Sequence, residues 1–169
     1  MKPLAQVLFA LLLAGLQAAV LRWAGGGSFS AALLAACVVY VALHDGNVDG
    51  AVAAAGTGYV LDIVTGSPKG LMTFLAVLLF VGVRAVGNAV DVRSRAGFAA
   101  LSGLTAFAMS LGALILTRYT VAPEAQPGSS LLPRMLVEAV VTAAASPLVL
   151  AVLRRMDGLF QRDEPGLLR

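Results

Sequence analysis

The stretch GTGYVLDIVTGSPKG, residues 56–70, contains the most specific arrangement of polar and turn-forming residues in this chain. A single carboxylate, that of Asp62, stands near the end of an apolar run, and glycines and a proline follow it. The motif has the spacing G-x3-D-x3-G-x3-G and consists of Gly58, Asp62, Gly66, Pro68 and Gly70. Glycine reaches positive φ without steric cost, and proline presets φ to about −65°. The motif therefore predicts a tight reversal between two antiparallel helices, with Asp62 beside it.

A carboxylate at this position is electrostatically unfavourable, because the C-terminus of a helix carries partial negative charge. Asp62 therefore needs a compensating contact. Two sources are close in sequence: the backbone amides of the turn from Gly66 to Gly70, and the ammonium group of Lys69. The alternative is that Asp62 belongs to a surface on which another protein docks. The sequence leaves both roles open.

The remaining polar residues do not support catalysis. A serine nucleophile would need the only histidine, His44, on its own side of the protein, and no G-x-S-x-G turn accompanies it. An aspartyl pair needs two carboxylates in one site, but Asp62 and Asp91 are predicted at opposite ends of the helices. The chain also lacks a phosphate-binding loop. We therefore predict a non-enzymatic protein without a cofactor.

Side chains that could ligate a metal occur in and next to two connecting segments. They are His44, Asp45, Asp49 and Asp91, and their spacing matches no diagnostic metal-binding pattern. The only cysteine, Cys37, lies inside an apolar run, as expected for a small buried hydrophobic residue. We predict no metal site.

The elements that position these residues are membrane helices. Of the 169 residues, 59% are hydrophobic and only 12% are charged, whereas soluble domains contain about 25% charged residues. Mean hydropathy is +0.89. The net charge of +3 is read as a determinant of membrane topology, so no nucleic-acid partner is predicted. The composition predicts an integral membrane protein.

The fold class expected is all-α, a polytopic membrane helix bundle in a single domain that covers residues 1–169. A helix needs about 20 apolar residues to cross the hydrocarbon. Six segments meet this requirement approximately: 4–21, 29–43, 48–65, 71–90, 96–117 and 135–153. The connections are short except for a loop at 118–134, and a polar tail is expected at 154–169.

Basic residues are unevenly distributed between the two sides of such a bundle. The side with both termini has seven: Lys2, Arg93, Arg95, Arg154, Arg155, Arg162 and Arg169. The other side has four: Arg22, Lys69, Arg118 and Arg134. Because positive charge favours the cytoplasm, we expect both termini to be cytoplasmic and the turn after Asp62 to face outward.

Small residues at four-residue spacing form stripes on three of the predicted helices. The first stripe contains Ala10, Ala14 and Ala18, the third helix has Ala54 and Gly58, and the fifth has Ser102, Ala106 and Ser110. Such stripes let helix backbones approach closely in lipid. They serve either to assemble this bundle or to receive a partner's helix.

Two charged residues inside predicted spans are expected to find partners on their own helices. Arg84 shares a helix face with Asn88 and Asp91 and can extend towards the membrane surface. Glu138 stands four residues after Arg134, the spacing of an ion pair on one helix face.

The segment GYVLDIVTGSPKGLMTFLAVLLF, with the ending SPLVLAVLRRMDGLF at residues 146–160, resembles MreD, the bacterial rod shape-determining membrane protein. That family has a glycine, an aspartate and a Gly-Pro-x-Gly-like turn before an apolar helix. The matching positions here are Gly58, Asp62, Gly66, Pro68 and Gly70. The resemblance in motif covers about 40 residues, and the rest of the chain agrees in length and hydropathy.

The resemblance implies a non-catalytic component of the cell-elongation machinery in the bacterial cytoplasmic membrane. MreD proteins act with the bitopic protein MreC, and link MreB filaments to the polymerase RodA and its transpeptidase partner. The outward turn and the 118–134 loop would then face MreC. Arg154 and Arg155 would contact anionic lipid headgroups or MreB. A homo-oligomer is also compatible with the sequence.

A second interpretation is the substrate-binding subunit of an energy-coupling-factor vitamin transporter. Such subunits also have six helices and an Ala-x-x-x-Ala stripe on the first helix, which Ala10, Ala14 and Ala18 match. A small-molecule pocket, however, needs convergent polar and aromatic groups. The chain has one Trp and three Tyr, so the scaffold interpretation is preferred.

Overall fold

A computed structural model describes residues 2–23, 32–66, 68–89, 94–120 and 131–160. These residues form six α-helices and no strand. The helices are α1 (Lys2–Trp23), α2 (Ala32–His44), α3 (Asn47–Thr65), α4 (Leu71–Ala89), α5 (Arg95–Thr120) and α6 (Leu131–Phe160). The predicted all-α membrane bundle is confirmed.

Three of the six helices are long and apolar enough to cross a membrane. The crossing segments are Leu71–Asn88, Arg95–Tyr119 and Leu132–Met156. Shorter apolar segments lie in α1 and α2, at Leu4–Gln17 and Leu33–His44. The 13 residues of α2 rise about 20 Å, less than the hydrocarbon thickness of about 30 Å.

The last two helices are longer than the apolar spans predicted from the sequence. α5 continues to Thr120, and α6 begins at Leu131 and runs to Phe160. The predicted polar tail therefore starts as helix, and residues 118–120 and 131–134 of the predicted loop are helical. Residues 121–130 lie outside the described part. Hydropathy reports the apolar length of a helix, whereas backbone hydrogen bonding continues into its polar ends.

The centre of the bundle is α2, which contacts each of the other five helices. Every residue from Leu34 to Ala42 is buried. A helix that is apolar on all sides belongs in an interior, and α2 fits this rule. The outward faces are also apolar. On α1, for example, the exposed leucines are Leu4, Leu8, Leu11, Leu12 and Leu16.

A proline inside α6 is accommodated by the residue before it. Pro147 has no N–H group, so the carbonyl of Ala143 loses its helical donor. The Ser146 hydroxyl donates to that carbonyl oxygen at 2.9 Å. The freed backbone group is therefore satisfied within the helix, as a membrane interior demands.

Helices α5 and α6 lie antiparallel and are joined by a polar contact. The Ser110 hydroxyl donates to Glu138 Oε2 at 3.1 Å, and Glu138 is only 8% exposed. The sequence predicted an ion pair between Glu138 and Arg134 on the same helix. The structure adds the contact with α5, and Arg134 is exposed; the ion pair between the two residues stays a prediction.

Candidate functional site: the turn between α3 and α4

The carboxylate of Asp62 accepts four hydrogen bonds from the start of α4. Oδ2 accepts from the amide of Gly70 at 3.0 Å, the amide of Thr73 at 3.2 Å and the Thr73 hydroxyl at 2.7 Å. Oδ1 accepts from the amide of Met72 at 2.8 Å. Asp62 is 7% exposed, so its oxygens are turned into the protein.

This geometry makes Asp62 the N-terminal cap of the neighbouring helix. The first amides of an α-helix have no intrahelical acceptor, and they carry partial positive charge. The Asp62 carboxylate supplies both an acceptor and a negative charge there, from the last turn of α3. The unfavourable position at the end of α3 is thereby offset by the start of α4.

The sequence anticipated part of this contact. The predicted acceptance from the 66–70 turn is confirmed at Gly70, whereas the bonds from Met72 and Thr73 were missed. A signal was present, because the residues after Gly70 begin an apolar helix and must offer unbonded amides.

The reversal itself has the backbone that the motif predicts. Gly66 ends α3 in the left-handed conformation with φ 64°, and Gly70 has φ 90°. The amide of Leu71 then donates to the carbonyl of Pro68 at 3.1 Å. Since a side chain is strained at such φ values, both glycines are required by the turn.

Gly58 lies one helical turn before Asp62 and contacts the same part of α4. A Cβ atom added there would lie 2.6 Å from the Cα of Thr73 and 2.8 Å from the carbonyl oxygen of Met72. Backbone cannot yield at such distances, so only glycine allows this approach. Gly58 thus brings the first turn of α4 against α3, and Asp62 caps it.

The surface around the turn is formed by other residues. Ile63, Val64 and Phe74 are exposed apolar side chains, and Pro68 and Lys69 are exposed in the turn itself. The docking role predicted for the motif stays a prediction. Because Asp62 is buried, a protein that docked at this turn would contact these neighbours and not the carboxylate.

No match was found among protein-family models, curated proteins or solved structures.

A second polar cluster lies at the other end of the bundle, where α2 leads into α3. Arg84 Nη1 donates to the carbonyl oxygens of Asp45 at 2.8 Å and Ala42 at 3.4 Å. Its guanidinium carbon lies 5.7 Å from the centre of the Phe80 ring. Gln6 Nε2 donates to Asp45 Oδ2 at 2.6 Å, which joins α1 to the cluster.

Arg84 therefore caps the C-terminus of α2, where unbonded carbonyls carry partial negative charge. The sequence predicted partners on its own helix, at Asn88 and Asp91. The described contacts of Arg84 are instead with α2, about 40 residues earlier, and Asp91 lies outside the described residues.

Replacing Arg84 with glutamine is expected to lower the free energy of unfolding by about 1–3 kcal/mol, because charged hydrogen bonds to two carbonyls are lost. Thermal unfolding in detergent measures the change. Arg155→Gln is the matched control, since Arg155 is exposed and surface substitutions usually change stability by less than about 0.5 kcal/mol. Equal losses in the two variants would contradict the capping role of Arg84.

The only histidine stacks on the interior of α2. The rings of His44 and Tyr40 are 4.3 Å apart and nearly parallel, and His44 Nδ1 lies 3.1 Å from the carbonyl oxygen of Tyr40. Within the described ranges, no three His, Cys, Asp or Glu residues lie close enough to hold a metal ion.

The predicted packing stripes are largely used inside the bundle. Ala10, Ala14, Ala54, Ser102 and Ala106 are buried, while the side chain of Ala18 lies outside the described part. This favours the first of the two roles, assembly of the bundle itself. Arg154 and Arg155 are exposed on α6.

Proposed function

We propose that the chain is a non-catalytic scaffold of the bacterial cell-elongation machinery that binds an MreC-like bitopic protein. The observation that carries the proposal is the use of Asp62. Its carboxylate is buried and accepts four hydrogen bonds from α4, so it holds a turn in shape and is poorly placed to act on a substrate. A preformed turn with an apolar rim suits protein docking, because little order has to be gained on binding.

The remaining assignments follow from the same proposal. The protein would lie in the cytoplasmic membrane with both termini inside, as the uneven basic charge favours. MreB, RodA and its transpeptidase partner are the further components expected in the complex. Arg154 and Arg155, which are exposed, would contact anionic headgroups or MreB at the cytoplasmic side.

The transporter alternative is weakened by the first helix. That interpretation requires the stripe of Ala10 and Ala14 to be open for coupling to another subunit, but both side chains are buried against the bundle.

The test is copurification of the tagged chain from its native membrane in mild detergent. We expect an MreC-like bitopic protein with the wild type. The double variant Ile63→Ala, Phe74→Ala should recover about tenfold less partner, because losing an interface anchor costs more than about 1 kcal/mol. Its melting temperature should change little, since both side chains are exposed.

The matched control is Leu8→Ala, Leu12→Ala, which removes exposed apolar side chains of α1. Its partner recovery should equal that of the wild type. Recovery of a pair of ATP-binding-cassette subunits, or of a bound vitamin, would replace the scaffold by the transporter alternative.

A further inference from the structure

The end of the bundle that contains the Gly66–Gly70 turn, here called the hairpin end, has an uneven distribution of exposed charge. In the described helices, the two acidic residues of this half are Asp62 and Glu138, and both are buried and hydrogen-bonded. Three basic residues of this half are exposed: Lys69, Arg118 and Arg134. The described surface at the hairpin end is therefore cationic.

Helix packing places two of these cations towards the same end of the bundle. Leu75 of α4 packs directly on Gly112 of α5, and the short connection between these neighbouring helices makes them antiparallel. In antiparallel helices, the residues before Leu75 and the residues after Gly112 lead towards the same end. Lys69, in the turn before α4, and Arg118, in the last turn of α5, therefore both lie at the hairpin end.

The residue after Arg118 adds an aromatic group to this surface. Tyr119 is 84% exposed, and the exposed Phe74 belongs to the first turn of α4. Arginine and aromatic residues are enriched in protein–protein interfaces relative to other surfaces. Tyrosine is also enriched at membrane–water interfaces, and Tyr119 ends the crossing segment Arg95–Tyr119, so the exposed charge is what specifies an acidic partner. An attraction to lipid would in addition favour the end with more basic residues.

We propose that the hairpin end binds an acidic segment of a partner protein, with carboxylates of that segment contacting Lys69 and Arg118. The inference rests on the proposed function and names the chemistry of the partner segment, a run of Asp or Glu close to its membrane helix. Because Asp62 and Glu138 are buried, the described residues of the hairpin end present no exposed carboxylate that would repel such a segment.

The first test uses a fluorescent peptide with six glutamates and the full chain in nanodiscs of phosphatidylcholine. We expect binding that weakens with salt, as contacts between exposed charges are screened. The variant Lys69→Gln, Arg118→Gln should bind about threefold to tenfold more weakly. Arg95→Gln removes an exposed charge at the other end of the bundle and should bind as the wild type does.

Equal binding by the Lys69, Arg118 variant and the Arg95 variant, or equal binding of a six-glutamine peptide, would overturn the inference. The inference would also be overturned if the Lys69, Arg118 variant lost binding of phosphatidylglycerol but kept wild-type binding of the acidic peptide. The surface would then bind lipid. The proposed function is judged separately, by copurification of the bitopic protein. A partner that copurifies equally with the Lys69, Arg118 variant, at low and at high salt, would leave the scaffold role intact and reject this surface.

Discussion

Replacing Asp62 with alanine is expected to lower the free energy of unfolding by about 2–4 kcal/mol. The variant leaves three amides and the Thr73 hydroxyl without their acceptor. Loss of a helix cap costs about 0.5–2 kcal/mol, and an unsatisfied buried donor costs about 1–3 kcal/mol. Thermal or denaturant unfolding in detergent measures the loss, and amide exchange should increase first at residues 70–73.

Two further variants separate charge from hydrogen bonding. Asp62→Asn keeps one acceptor oxygen but loses the negative charge at the start of α4. Its free energy of unfolding should therefore lie between those of the wild type and Asp62→Ala. Asp49→Asn is the control on the same helix, since Asp49 is exposed; its effect should stay below about 1 kcal/mol. An Asp62→Ala protein as stable as this control would show that the cap contributes nothing.

Replacing Gly58 with alanine is the second large effect expected. The added methyl group would lie 2.6 Å from the Cα of Thr73, so α3 and α4 must separate. Overpacking of this kind costs about 1–3 kcal/mol, even though alanine is the better helix former. Gly15→Ala is the matched control, because nothing lies within 4 Å of its added Cβ atom. It should be neutral or slightly stabilising.

Gly58 and Asp62 should also be energetically coupled. Moving α4 away from Gly58 lengthens the hydrogen bonds that Asp62 makes with the same turn. In a double-mutant cycle, the combined loss should therefore be smaller than the sum of the single losses by about 0.5–3 kcal/mol. Strict additivity would mean that the two residues act on α4 independently.

The features that the sequence predicted are those set by local chemistry. Hydropathy located all six helices, because apolar length is a property of each segment. The positive φ angles at Gly66 and Gly70 followed from the residue type. The four-residue step from Gly58 to Asp62 also indicated one helix face.

The features that the sequence missed depend on which helices become neighbours. Arg84 was expected to find its partners at Asn88 and Asp91, but its described hydrogen bonds cap α2. The contact of Glu138 with Ser110 on α5 was not predicted. A charged side chain can pair with residues close in sequence or with a helix that is distant in sequence. The packing of the bundle decides which of these partners it meets. The extra turns of α5 and α6 were missed because polar residues do not end a helix by themselves.

The Arg84 contact has a consequence for the order in which the bundle is assembled during synthesis. The carbonyl oxygen of Asp45 accepts a hydrogen bond from the guanidinium of Arg84, which is synthesised 39 residues later. While α3 and the first half of α4 are still being made, the end of α2 has no cation from α4 to meet. The α3–α4 turn, which Asp62 stabilises, positions α4 so that Arg84 reaches the C-terminus of α2. A disrupted turn would therefore leave the C-terminus of α2 uncapped as well as disturbing the α3–α4 hairpin. Quality-control proteases would then encounter α2 without its cap.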